Sequence, residues 1–309
     1  MNKKDKASKS TEEKEIYKPL NPGAFYGWPM GAWFTLFFVV PILIILLYSF
    51  LQVNADYKIQ FSKGLSLKAY KYMFSKRNGI LFLRTVYITL ISTAITILIA
   101  LPCGYAMARS KNQTTWLILI IVPFLTNSLI RIYAWKTILG ESGLVNQMGL
   151  FFYKLFHHGA TEGFTPGKFI YTQGAIILVN IYLYLPYAIL PIFTAVDRFD
   201  FSLLEASRDL GCSKPQSMIK ILLPGIKSGL TSAIIFTLIP IFGTYTVPDL
   251  VGDKDSMMLG QFIYQKAKQR DYPVASAFSM LITIISMIGI IIMLNNNRKE
   301  AALKNGGKK

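Results

Sequence analysis

The chain has 309 residues, 52% of them hydrophobic and only 16% charged, with a mean hydropathy of +0.40. Soluble domains carry about 25% charged residues, so this composition excludes a soluble globular protein and points to a polytopic membrane protein. A formal charge of +17 would suggest nucleic acid in a soluble chain. Here the basic residues cluster in tails and loops, where they meet anionic lipid and set orientation, and no nucleic-acid role follows.

Residues 1–26 are polar and rich in lysine (Lys3, Lys4, Lys6, Lys9, Lys14, Lys18) and are expected to be a disordered tail. No cleavable signal is expected, because the first apolar run is too long and lies behind that tail. Six apolar runs follow at about 29–52, 80–108, 115–139, 171–196, 228–251 and 274–294. Each is near the ~20 residues that cross a ~30 Å hydrocarbon core as a helix, which predicts an all-α protein with six transmembrane helices. The predicted organisation is a basic tail at 1–26, a membrane domain at 27–294 and a second basic tail at 295–309. No internal repeat is evident.

Lysine and arginine set the orientation. With both termini in the cytoplasm, the tails and the 109–114 and 197–227 loops carry 18 basic residues against 12 in the other three loops. The bias has the sign expected for cytoplasmic loops. Lys58, Lys63, Lys68, Lys71, Lys76 and Arg77 in the first loop run against it.

Cys103 and Cys212 have no partner spacing for a metal or redox site. His157 and His158 have no cysteine or carboxylate near in sequence, so no metal site is expected there. In the 140–170 loop, Leu144, Met148, Phe152 and Leu155 fall at helical spacing and predict an amphipathic helix at the outer interface.

An ionisable residue in a spanning helix suggests function, and depth decides between that and simple snorkelling. Arg84 and Lys136 lie near span ends and can snorkel. Arg131, sixteen residues beyond Thr115, would sit ~24 Å along a straight third span and needs a partner there. Asn127, Tyr133 and Trp135 accompany it. Tyr245 and Asp249, four residues apart, would share a helix face, with Asp249 ~31 Å along the fifth span. For a cationic substrate, carboxylates and aromatic faces are the physical requirements. Asp249 and Tyr245, with Trp135 or Tyr133, are therefore candidates to line the outer path; alternatively Asp249 pairs with Arg131 and holds two spans together. The outer part of the membrane region offers only Asp249 and Glu141 as carboxylates. A path for a multiply charged cation then calls for acidic groups from a second chain.

Between the fourth and fifth runs lies a polar, helix-prone stretch, Ser202 to Pro224, SLLEASRDLGCSKPQSMIKILLP. Ser202 with Glu205, and Ser213 with Gln216, have capping-box spacing, which predicts short helices at about 203–210 and 214–223. Gly211 suits the left-handed residue that ends the first, Pro215 suits the opening turn of the second, and Pro224-Gly225 stops it. Leu203, Leu204 and Leu210 on one helix, and Met218, Ile219 and Leu222 on the other, give apolar sides that want cover. On local chemistry alone, Glu205 is either a cap or a group held out for a partner.

This stretch resembles the cytoplasmic EAA loop of ABC-importer permeases. The resemblance rests on Glu205-Ala206-Ser207, Gly211, and Ile219 to Leu223-Pro224; the third position is Ser where the pattern has Ala, and Gly211 comes four residues later where the pattern has five. A second run, VPFLTNSLIRIY from Val122 to Tyr133, is similar to permeases of spermidine/putrescine importers. The resemblance implies a type I importer permease in a bacterial inner membrane, with Glu205, Ala206, Ser207, Asp209, Gly211 and Pro224 docking on an ATPase. It also implies an ATPase dimer that binds the ATP and Mg, a second permease making a heterodimer, an extracytoplasmic binding protein and a polyamine cargo. No cofactor is expected in this chain, which lacks a G-x-x-x-x-G-K-[ST] motif. No catalytic residue is expected, since the spans lack histidine clusters, paired carboxylates or a Ser/His arrangement. The same class of permease with another cargo (ferric iron, sulfate) and an ion-coupled carrier working alone are the rival readings.

Overall fold

Hydrocarbon gives backbone amides no partners, so an apolar run must close its hydrogen bonds within a helix. The computed structural model describes residues 22–54, 64–156 and 163–306, with side chains over 27–54, 64–156 and 163–295. The tail through residue 21, Lys58, Lys63, His157 and His158 lie outside the described residues. The chain divides into two units, Met1–Tyr48 and Ser49–Lys309.

In the first unit the chain is helical from Pro22, inside the stretch expected as tail. The apolar part, α1 (Gly27–Ser49), is long enough to cross a membrane. It contains a π-helical turn at Thr35–Val39 just before Pro41, which has no N–H to give to the preceding turn.

The second unit begins with the short α2 (Lys68–Met73), followed by α3 (Lys76–Ala108), α4 (Gln113–Ile121) and α5 (Ser128–Leu139). Then come α6 (Leu144–Phe156), α7 (Gln173–Asp197), α8 (Ser202–Asp209), α9 (Lys214–Gly225) and α10 (Lys227–Gly243). The chain ends with α11 (Thr246–Val251), α12 (Leu259–Lys268) and α13 (Tyr272–Gly306). α1, α3, α7 and the apolar part of α13 are single helices long and apolar enough to span, and two bent pairs bring the total to as many as six.

Two spans differ from the expectation of straight helices. The third breaks after a 3-10 turn at Val122–Leu125, and the segments on either side diverge by 88°. Pro123 removes a donor there, the Thr126 hydroxyl donates to the Pro123 carbonyl at 2.6 Å, and Asn127 caps α5 by accepting from the Leu129 amide at 2.8 Å. The fifth ends at Gly243; Thr244 is extended and α11 starts afresh. Depths counted along straight helices for Arg131 and Asp249 therefore do not hold. The 252–273 connection holds α12, which carried no signal in the expected loop, and the second tail continues α13 as helix to Gly306.

α7 is the hub of this unit. It packs along α3 on one side and α10 on the other. A Cβ on Gly104 of α3 would meet Ile192 Cγ2 at 2.8 Å and the Phe193 amide nitrogen at 3.1 Å, and a Cβ on Gly229 of α10 would strike the Ala195 methyl and come within 2.8 Å of the Pro191 carbonyl. Small residues thus let these backbones approach, as between membrane helices generally. At one end Met107, Ile192, Val196, Leu204, Leu222 and Ile226 form one buried cluster; farther along, Ile88, Ile132, Ile176, Val179 and Val247 form another. These pairings give α3 and α7 a parallel register. α12 closes the side of α3: the Leu259 amide donates to the Thr85 hydroxyl at 2.9 Å. α6 turns Leu144, Met148, Phe152 and Leu155 outward, as the amphipathic spacing predicts. Its inner face is pinned by Asn146, which bonds the Gly140 and Gly167 carbonyls and the Gly167 amide.

Because α10 meets α7 without room for a side chain, Gly229→Val is expected to lower the stability of the purified protein by about 1–3 kcal/mol. Gly31→Ala in α1, where a Cβ would meet nothing within 4 Å, should not lower it. Thermal melting in detergent compares the two.

Candidate functional site

The Ser202–Pro224 stretch folds into an elbow. α8 starts at Ser202, yet Ser202 and Glu205 do not form the expected capping box; Phe201 precedes the helix without a side-chain cap. The cap role passes to Asp200, which accepts from the Ser202 amide at 3.0 Å. Hydrogen bonds from the Ser202 hydroxyl and amide hold the Asp200 carboxyl below the usual carboxylate range. Glu205 is exposed, and with no capping box formed and the Ser202 amide bonded to Asp200, the reading of Glu205 as a cap does not hold. Ser213 and Gln216 do form a capping box at the start of α9. Gly211 has φ +90°, and its amide donates to the Arg208 carbonyl at 2.8 Å.

Ser207, the residue that departs from the Ala pattern, is buried, and its hydroxyl lies 2.7 Å from that of Ser217. This bond ties α8 to α9. A π-helical turn at Met218–Leu222 follows, again just before a proline, Pro224. α9 then meets α10 at 75°.

The elbow has two faces of different character. Leu204, Leu222 and Ile226 are buried in the bundle, with Phe201 edge-on to Tyr105 and beneath the Arg109 guanidinium at 4.8 Å. Leu203, Leu210 and Ile219 are exposed, Leu210 at 87%, and Glu205, Ala206 and Asp209 are exposed with them. An anchored elbow thus ends in uncovered apolar side chains interspersed with charges of both signs, Glu205 and Asp209 beside Arg208, Lys214 and Lys220.

From the elbow a trough of about 1050 Å³ runs between α7 and α10 to Tyr187. Thr194, Ser228 and Ser232 supply hydroxyls along it, Phe236 and Tyr187 supply aromatic faces, and Arg198 and Asp200 stand at its elbow end. Tyr187 to Asp200 covers ~20 Å of α7 and its exit.

Beyond Tyr187 lies an aromatic cluster. Tyr187 packs edge-on to Phe124 at 5.8 Å, and the Arg131 guanidinium sits over Phe124 at 4.6 Å, a cation–π arrangement. Nε and Nη1 of Arg131 are shielded from solvent and have no hydrogen-bond partner among the described residues. Trp135 packs edge-on to Tyr182 at 5.5 Å, and Tyr133 is exposed. Tyr245 stacks on Tyr264 at 4.9 Å. Asp249 is exposed and accepts from Gln261 Nε2 at 3.2 Å.

α5 and α11 are neighbours, so the break in each span brings the two candidate groups to adjoining elements. The alternative in which Asp249 pairs with Arg131 does not hold: among the described residues the one ion pair is Lys266 with Asp271 at 3.1 Å. Phe124, Tyr182, Tyr187, Gln261 and Tyr264 did not stand out in the sequence. The dense tyrosines of Tyr182, Tyr184 and Tyr187 were the available signal.

Gly211→Val is expected to weaken the elbow by about 1–2 kcal/mol, because a β-branched side chain resists positive φ. Gly211→Asn should cost less. Hydrogen exchange at the Cys212 amide, bonded to the Ser207 carbonyl at 3.0 Å, measures the difference.

Comparison with known proteins places this architecture. The model of the binding-protein-dependent transport system inner membrane component family matches residues 17–296. The spermidine/putrescine transport system permease protein PotB of Haemophilus influenzae is 30% identical over 270 residues, 86% of this chain and 91% of that protein. Its counterpart from Escherichia coli K12 is 31% identical over 271 residues, 86% and 94% of the two chains. Among solved structures, a bacterial ABC transporter involved in import of the acidic polysaccharide alginate superposes with a TM-score of 0.70 at 15% identity. The match covers 92% of this chain and 99% of that one. A second alginate transporter structure, in complex with a periplasmic protein, gives 0.68, also at 15% identity, over 91% and 98%. The fold is thus shared with these transporter chains over most of their length, and the chain belongs to the binding-protein-dependent transport system inner membrane component family.

Proposed function

We propose that this chain is one of two unlike permease subunits of an ATP-driven importer of polyamines such as spermidine and putrescine. It crosses a bacterial inner membrane six times, the third crossing through the broken α4–α5 segment and the fifth through α10, with both termini and the elbow in the cytoplasm. A separate ATPase dimer, which binds ATP and Mg, docks on the elbow, and an extracytoplasmic binding protein delivers the cargo.

The observation that carries this reading is the elbow itself. Its root is fixed in the core by Leu204, Leu222 and Ile226, its two helices are joined through Ser207 and Ser217, and Glu205, Leu203, Leu210 and Ile219 face outward without cover. Closure of the ATPases would push on that face. Because α9 continues into α10 and α8 follows α7, the push acts on both walls of the trough. The spans then exchange inward- and outward-facing states, which differ in how the lever is held.

The cargo reading rests on the likeness to spermidine/putrescine permeases and on aromatic faces suited to ammonium groups. Asn127, Arg131, Tyr133, Trp135, Tyr245 and Asp249 lie on the path in this reading, which the second permease completes with carboxylates.

Uptake of radiolabelled spermidine by cells carrying the whole system tests the cargo. Competition by putrescine is expected; competition by ferric iron or sulfate and not by polyamines would overturn it. Glu205→Ala is expected to abolish most uptake while leaving membrane levels unchanged, and normal uptake in that variant would refute the docking role. Asp249→Asn keeps an acceptor for Gln261 and removes only the charge. It is expected to raise the half-saturating spermidine concentration about tenfold, the size of one charge-assisted contact, and an unchanged value would take Asp249 off the path.

A further inference from the structure

A second cavity, of about 390 Å³, lies at the end of α3 away from the elbow. Arg77, Arg84, Lys254 and Lys266 line it, against a single carboxylate, Asp255. Among the described residues, Lys266 alone of the four cations has an ion-pair partner, Asp271 at 3.1 Å. Gln265 and Gln269 add donors at its wall, and the N-terminus of α3 adds the positive end of its dipole. Such a concavity is built for an anion. It forms no part of the trough, whose lining lies on α7, the elbow and α10.

Depth says which anion. Arg84 to Ala108 spans ~36 Å of helix, more than the ~30 Å hydrocarbon core. Ala108 lies beside the elbow root, so Arg84 and Arg77 stand at headgroup level on the opposite side. Arg77, Ile80, Arg84 and Tyr87 fall on one stripe of α3 at helical spacing. Ile80 is 52% exposed beside the cavity, and past Arg84 toward the elbow end Tyr87 is 54% and Leu90 53% exposed, so an apolar track leads from the cationic cavity toward the membrane interior. A free phosphate would satisfy the arginines and leave the track unused; a phospholipid uses both.

We propose that this cavity is a specific site for an anionic phospholipid, with the headgroup phosphate held by Arg77 and Arg84, flanked by Lys254 and Lys266, and an acyl chain along Tyr87 and Leu90. The site would fasten the α3–α12 corner to the leaflet opposite the elbow, giving the moving helices a fixed point. It rests on the membrane placement of the chain and not on its cargo.

The test uses the complete transporter, purified with its partner subunits from vesicles of phosphatidylcholine and phosphatidylglycerol, with retained lipid counted by native mass spectrometry. Wild type is expected to retain phosphatidylglycerol in preference to phosphatidylcholine. Arg77→Gln and Arg84→Gln should each weaken retention about tenfold. Arg77→Lys with Arg84→Lys should keep much of it, and Lys111→Gln near the elbow should change nothing. Equal retention of the two lipids, or retention unchanged in the Arg77→Gln/Arg84→Gln double variant, overturns the proposal. So does a site that millimolar inorganic phosphate fills while no lipid is retained. A loss of binding-protein affinity in the double variant with lipid retention unchanged would make this surface a protein dock and would equally overturn it. Spermidine uptake is not the readout, so this outcome is separate from the fate of the cargo assignment.

Discussion

The close approach of α7 to both α3 and α10 is the constraint on which the rest depends. At Gly104 and Gly229 there is no room for a Cβ, and backbone meets side chain or carbonyl directly. Lipid gives such helices little hydrophobic reason to associate, so close packing must supply the attraction. The result is a three-helix hub whose relative positions are narrowly determined at one end, where the elbow is rooted. Farther along α7 the contacts pass to α5 and α11, short helices set by breaks in their spans. The backbone breaks of the third and fifth spans thus lie beyond the part of α7 that roots the elbow.

That distribution suits a lever. A coupling element that slid on the bundle would dissipate any force applied to it. Here Leu222 and Ile226 are buried on either side of the bend between α9 and α10, and Phe201 is wedged between Tyr105 and Arg109. The substitution of Ser207 for the smaller residue of the family pattern is accommodated without an orphaned hydroxyl, because Ser217 and the Leu204 carbonyl supply partners. A polar residue at a buried position therefore joins the two helices of the elbow.

Charge is distributed with equal economy. The Arg131 guanidinium rests on an aromatic ring, with two of its nitrogens shielded and without a partner among the described residues. Asp249 is met by an amide and, among the described residues, forms no ion pair. Arg77 and Arg84 of α3, with Lys254 and Lys266, line a separate cavity remote from the trough.

The sequence by itself determined the class and the parts. Runs of apolar residues near the length of a membrane crossing settled an all-helical polytopic protein. Cap chemistry at Ser213 and Gln216 and the glycine at 211 located the elbow, since these signals act over three or four residues. Tertiary structure decided everything that depends on what faces what. Pro123 was visible, but not that Thr126 and Asn127 would complete a break and turn the chain through 88°. Ser202 and Glu205 had capping-box spacing, yet the first turn was claimed by Asp200. The pairing of Ser207 with Ser217, of Arg131 with Phe124 and of Asp249 with Gln261 joins residues whose adjacency arises only when helices pack. Periodicity reports which side of a helix is apolar; it carries no record of the neighbour that covers it.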